Sequence, residues 1–235
     1  DKQAVYELLV EYLLAQHRIA DAFVYAEKAK ARALVDMLAQ KQSFAGDGVA
    51  RAGLAELTEL EAQMQRTTVS AIKNSARTRG LILRQREALE AQAPEVASLV
   101  SVGNVDTRSI QQQLAEDEQL IEFFGNNEAL YAFIVDREQI TVKHLNGRGL
   151  AEKISQFRQD IMQTGSNAWR QSSKAVFETL IEPLQSSLTA DKLVIVPHGP
   201  LHYLPFAALF DGADFMLEQY SLRVLPSASV MAYLK

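Results

Sequence analysis

The stretch Leu193–Leu209, LVIVPHGPLHYLPFAAL, restricts the architecture more than any other part of the chain. It opens on an unbroken apolar run, Leu193–Val196. A strand with one wet face alternates apolar and polar residues. A strand that is apolar at every position is covered on both faces, as a central parallel strand is. Two histidines and two prolines follow at once. Pro200 and Pro205 each disfavour helix in the preceding residue, and Pro205 suits the first turn of a short apolar helix over Phe206–Leu209. The run therefore predicts an α/β sheet with layers on both sides.

The rest of the carboxy-terminal half agrees. Gln119–Phe124, Ala129–Val135 and Gln139–Leu145 are β-rich runs. The turn-forming clusters Gly125-Asn126-Asn127 and Asp136-Arg137-Glu138 separate them, which predicts a three-stranded meander. Leu150, Ile154, Phe157 and Ile161 recur at helical spacing. A second helix is expected from about Ser172 to Leu188, with Pro183 either kinking it or opening its last turn. Ser221–Leu225 reads as a further strand, and Ser227–Tyr233 as the start of a helix with Ser227 as N-cap.

The amino-terminal half reads as helical hairpins joined by a loop. Residues 4–40 read as two antiparallel helices turning near His17-Arg18-Ile19. Leu9 and Leu13, with Tyr6 and Leu8, form the first stripe. Ala22, Ala26, Ala29, Ala33 and Met37 form the second, a face of small residues that permits close helix packing. Gly46 and Gly48 mark a loop over Lys41–Val49. From about Arg51 to Gln92 the composition turns to Ala, Glu, Gln, Leu and Arg, which predicts a long helical hairpin. Its break is expected at Asn74–Gly80, and Pro94 ends it. The predicted organisation is thus a helical hairpin over 1–40, a long hairpin and linker over 41–108, and a mixed α/β sheet over 109–235.

Charge and composition narrow the function classes. The net charge is −5, with 13 basic and 13 acidic residues before position 101 and 11 and 16 after it. Arg66, Lys73, Arg77, Arg79, Arg84 and Arg86 lie in an acid-free window, but it holds no aromatic to stack on a base. A solvated helix face is the favoured reading, and nucleic acid is not an expected partner. No apolar run approaches a membrane span. There is no cysteine, which excludes disulfides, thiolate metal sites and a cysteine nucleophile within these residues; a cytoplasmic location is mildly favoured. The start, Asp1-Lys2-Gln3, has neither an initiator Met nor a signal-peptide layout, and the expectation is an excised or processed piece.

Candidate chemistry centres on His198, which follows a parallel-type strand where α/β folds place ligands and catalysts. His198 and His202 have the i,i+4 spacing of a helical zinc pair, yet Gly199 and Pro200 intervene and no acid or thiol stands close by in sequence. No serine lies in a nucleophile elbow. Hydrogen bonding of the strand-to-helix loop is the favoured role for both histidines. His17 and His144 are isolated. Gly46-Asp47-Gly48 and Gly147-Arg148-Gly149 do not read as strand-to-helix phosphate loops. Glu116-Asp117-Glu118 reads as a solvated turn, and Trp169 as an anchor or partial lid in a polar linker. No catalytic, cofactor-binding or metal residue is assigned, and no cofactor is expected.

Two resemblances follow from these residues. Tyr6, Leu9, Ala22 and Ala29 fall at tetratricopeptide-repeat spacings, although Val10 stands where a glycine is usual, no proline closes the unit and no second copy is present. Leu193–Leu209 resembles the CHAT family, caspase-like domains found behind such repeats in bacteria. Phe177–Leu184, Leu120–Phe124, Leu130–Val135 and Tyr220–Tyr233 are similar to neighbouring parts of it. The resemblance implies a caspase-clan fold whose peptidases use a His–Cys dyad. Those residues follow later strands and cannot be carried onto this sequence, because His198-Gly199 belongs to the earlier motif.

Two readings of function stay open. One is the amino-terminal portion of a cysteine-peptidase-like protein, with an incomplete caspase-like sheet and no activity alone. The other is a non-enzymatic protein-interaction module. Protein partners are expected at the helical repeat region. An exposed sheet edge and face are expected to be covered by homo-oligomerisation, strand exchange or docking of the helical hairpin.

Overall fold

The computed structural model describes residues 2–40, 56, 80–84, 87–88 and 107–233. The chain divides into two compact units, Asp1–Ala26 with Asp106–Met231, and Glu27–Val105 with Ala232–Lys235. The second contains the later part of one helix and the helical residues 80–84. Of the long-hairpin reading, 56, 80–84 and 87–88 are described and helical; its break, apart from Gly80, and its proline lie outside the described residues. The 41–49 loop and most of the basic window lie outside them as well.

Helices α1 (Lys2–Ala15) and α2 (Ile19–Gln40) open the chain. Their connection is a complete Schellman turn. Arg18 N–H donates to Leu13 O at 2.9 Å and His17 N–H to Leu14 O at 3.0 Å. His17 occupies its left-handed position, φ 58°, where glycine is usual. Arg18 then pairs with Asp21 at 2.7 Å in the first turn of α2, where an acid also suits the helix dipole. Val10, Leu13, Ala22, Phe23 and Ala26 are buried. Leu8, expected in the apolar stripe of α1, instead points outward at 66 % exposure. It stands one turn from Val5 and Tyr12 on the opposite side of the helix from Val10 and Leu13.

The sheet begins after α3 (Thr107–Gln113). Strands β1 (Glu118–Gly125), β2 (Ala129–Val135) and β3 (Ile140–Asn146) form the expected antiparallel meander. Each turn is closed by an Asx residue. Asn126 Oδ1 accepts from Glu128 N and Ala129 N, and Asp136 Oδ1 from Glu138 N and Gln139 N. Helices α4 (Leu150–Met162) and α5 (Ala168–Leu180) follow, then β4 (Lys192–Val196), α6 (Met216–Gln219) and β5 (Ser221–Val224). The strand order is β3-β2-β1-β4-β5, with β4 parallel to both β1 and β5. This is the mixed α/β class read from the sequence.

Alternation along β1 sorts the core into two layers. Ile121 and Phe123 pack with Leu130, Ala132, Ile134, Leu193 and Ile195 against α4 and α5. Leu120, Phe124, Phe133, Val194 and Val196 are equally buried on the other face, where Phe23 of α2 meets Phe133 edge-on at 5.7 Å. All four residues of Leu193–Val196 are 0–1 % exposed. The doubly covered strand is as the apolar run predicted.

Four readings need correction. The helix expected over Ser172–Leu188 begins earlier, at Ala168, and ends at Leu180. Pro183 then sits in the first turn of a 3-10 helix over Glu182–Ser187, since it has no N–H to continue the α pattern. Phe206–Ala208 and Ala228–Tyr233 are 3-10 turns rather than α-helices. Gly147–Gly149 does lie between a strand, β3, and a helix, α4. It is a three-residue connection, and Gly147 is required there because a Cβ would stand 2.7 Å from Asn126 O. The four-residue α6 was not anticipated.

The left-handed His17 gives the first prediction. His17→Gly, at this exposed position, relieves the steric cost of the turn and raises stability by about 1 kcal/mol in chemical denaturation.

Candidate functional site

The informative segment places its residues along one edge of the core. His198 is extended after β4, and Gly199 turns left-handed, φ 54°, into a 3-10 turn over Gly199–Tyr203. Leu201 N–H donates to His198 O and Leu204 N–H to Leu201 O, both at 3.1 Å. Leu201, Leu204, Phe206 and Leu209 enter the core, and Phe206 stacks on Phe123 at 6.0 Å. The prolines thus convert a strand into two tight turns that return apolar side chains to the sheet. His202 lies on the exposed side of the turn, so the histidine pair is not carried on an α-helix. Among the described residues no three His, Cys, Asp or Glu side chains gather as a metal site.

His198 is half-buried at the carboxyl ends of β1 and β4, its ring 4.8 Å from that of Phe124. Its Nε2 is 3.5 Å from Gln3 Nε2. Gln3 also donates to Glu7 Oε1 at 3.2 Å, and Asn126 Nδ2 donates to Glu7 Oε2 at 3.5 Å. These groups line a cleft of about 240 Å³ with Asn127 and Gly199. Of these groups only His198 is a candidate from the sequence; Gln3, Glu7 and Asn126 are not. Those three lie 70 to nearly 200 positions away from it in sequence, and nothing local in their helix or turn signals that they meet.

Glu122 is a further group outside the sequence candidates. It is fully buried in the middle of β1, between the opposing residues Phe133 and Val196. A carboxylate inside the run LIEFF was the available signal, because a buried acid is costly to desolvate.

On the other side of the core the segment is clasped to α5. Ser173, fully buried, donates to Ala208 O at 3.0 Å and accepts from Phe210 N at 2.9 Å. Trp169 stacks on Phe215 at 5.5 Å and meets Phe210 edge-on at 5.9 Å, with the Arg170 guanidinium over its ring. Trp169 is therefore an anchor at the start of a helix. Asp211 closes the loop by accepting from Ala213 N, Asp214 N and Gln219 Nε2. Hydrogen bonds from the Asp214 and Ala213 amides hold its carboxyl below the usual carboxylate range.

The amino-terminal ends of the parallel strands carry ion pairs, Asp117–Lys192 at 2.8 Å and Glu118–Arg223 at 2.9 Å. The second reaches from β1 across β4 to β5. The acidic cluster around Glu116 thus has a structural use. Gln119, 97 % buried, holds the approach to β4 by accepting from Thr189 N and Ala190 N and donating to Ser187 O.

Ser173→Ala leaves the Phe210 N–H buried without its acceptor and destabilises the fold by about 2 kcal/mol in chemical denaturation. For Asp211 the folded pKa lies below its ordinary value of 3.8, so its contribution is present above that value and lost as pH falls through the lower folded one. Trp169 fluorescence should therefore change on acidification below about pH 4, and Asp211→Asn should blunt that change.

No curated protein matches the chain. Among the described residues, no helix is long and apolar enough to cross a membrane. Residues 170–234, the part of this chain that runs from α5 through β4 and its turns to β5, match the model of the CHAT domain.

Proposed function

We propose that this chain is the portion of a CHAT-type, cysteine-peptidase-like protein that carries β1–β5 without the His–Cys dyad, and that it has no peptidase activity by itself. The observation that carries the reading is the setting of His198. Its ring packs on Phe124 and its Nε2 faces the Gln3 carboxamide, while the sequence contains no cysteine to serve as a nucleophile. A general base needs the group it deprotonates within hydrogen-bond reach. The family match over α5 to β5 supports the kinship without supplying either dyad member.

In this reading the α1–α2 hairpin is a tetratricopeptide-like unit that binds protein partners. Val5, Leu8 and Tyr12 support it, because they stand 61–66 % exposed on one side of α1. The edge strand β5, exposed along most of its length, supports a further contact by strand addition, including between copies of the chain. The same two surfaces favour the second reading, a scaffold with no enzymatic role in any context.

Purified chain incubated with a mixture of denatured proteins should release no new amino termini by mass spectrometry. His198→Ala should leave that result unchanged. Cleavage that disappears in His198→Ala would overturn the proposal. Adding a CHAT segment that carries His-Gly and Cys distinguishes the two readings: hydrolysis restored supports the peptidase portion, and binding without hydrolysis supports the scaffold.

A further inference from the structure

The cleft beside His198 has a chemistry that the peptidase reading does not use. One carboxylate, Glu7, and three carboxamides, Gln3, Asn126 and Asn127, line it beside His198, and among the described residues neither lysine nor arginine does. Its deeper wall is apolar, from Leu130, Leu150, Pro200 and Leu201. All of these residues belong to one compact unit.

The hydrogen bonds at Glu7 decide what such a cleft can take. Its two oxygens accept from carboxamide N–H groups at 3.2 and 3.5 Å. Charge-assisted bonds to a carboxylate usually run at about 2.7–2.9 Å. The half-buried charge is thus held in place by two long bonds, both on the exposed side of the cleft. An incoming cation with several N–H donors gains shorter bonds there than the carboxamides provide. The apolar wall suits an aliphatic stem, as the methylenes of long basic side chains cover apolar surface while the head stays polar. Gly199 leaves the rim open, since a Cβ placed there would meet nothing within 4 Å.

We propose that this cleft is a binding site for an alkyl cation, a guanidinium or ammonium group on an aliphatic stem of about three or four carbons. Glu7 supplies the charge, the carboxamides of Gln3 and Asn126 keep it aimed, and Leu130, Leu150 and Leu201 receive the stem. The volume, about 240 Å³, suits one such side chain or small amine and not a nucleotide. The site is independent of whether the wider protein hydrolyses peptides.

The test is a titration of the full chain with agmatine, butylamine and a capped arginine tripeptide, followed by the amide NMR shifts of Gly125, Gly147 and Gly199. Saturable shifts with the cations, and none with butanol, are expected. Response to agmatine or butylamine alone identifies a free amine as the ligand, and response to the tripeptide as well identifies a side chain. Glu7→Gln should weaken binding about tenfold or more. Asn127→Lys, on the exposed turn, should expel the cations while leaving the fold intact, so loss of binding there cannot be ascribed to unfolding. Equal shifts with butanol, no saturable shift with any cation, or undiminished binding in both variants would overturn the proposal.

Discussion

The parallel pairing of β1 with β4 is the interaction from which the rest of this structure is hung. β1 carries the antiparallel meander on one side, and β4 carries β5 on the other. Their register sets Leu120 beside Val194 and Ile121 beside Ile195, so each strand contributes apolar side chains to both layers. Burying a large aliphatic side chain contributes about 1.5–3 kcal/mol, and Leu193–Val196 holds four such groups at almost complete burial. Because one face is covered by α4 and α5 and the other is buried as fully, a one-residue slip would exchange the two layers. Register is therefore fixed by packing on both sides.

That constraint explains how polar residues are deployed around the pair. At the amino-terminal ends, Asp117 and Lys192 form an exposed ion pair, which adds little to stability, and Arg223 reaches Glu118, whose side chain is only 12 % exposed. Their value is in alignment, since they join the three parallel strands at matching positions. Gln119 does similar work with neutral hydrogen bonds in a buried setting. At the carboxyl ends, the chain leaves β1 and β4 through Gly125 and Pro197-His198-Gly199. The cleft lies at these exits, and α1 supplies another of its sides.

Much of the sheet was legible in the residues. The unbroken apolar run gave a doubly covered strand, the Asn126 and Asp136 turn clusters gave the meander, and the absence of cysteine bounded the chemistry. The resemblance carried by Leu193–Leu209 extends, in the family match, over residues 170–234. Other features were not legible for physical reasons. Whether Pro183 kinks a helix or ends it depends on what the following residues pack against. Leu8 has the composition of a core residue and the angular position of a surface one. Phe206–Ala208 is too short for propensity to separate an α turn from a 3-10 turn.

Local chemistry, then, determined the elements: periodicity marked strands and helices, asparagine, aspartate and proline marked where they stop, and composition removed the thiol nucleophile. Tertiary structure decided the order β3-β2-β1-β4-β5, which face of α1 is buried, and which distant side chains share a site. Glu7, Asn126 and His198 become neighbours only when α1, the β1–β2 turn and the exit of β4 converge. No sequence spacing encodes that meeting, because it follows from the register of a parallel pair whose strands are separated by two helices and the meander.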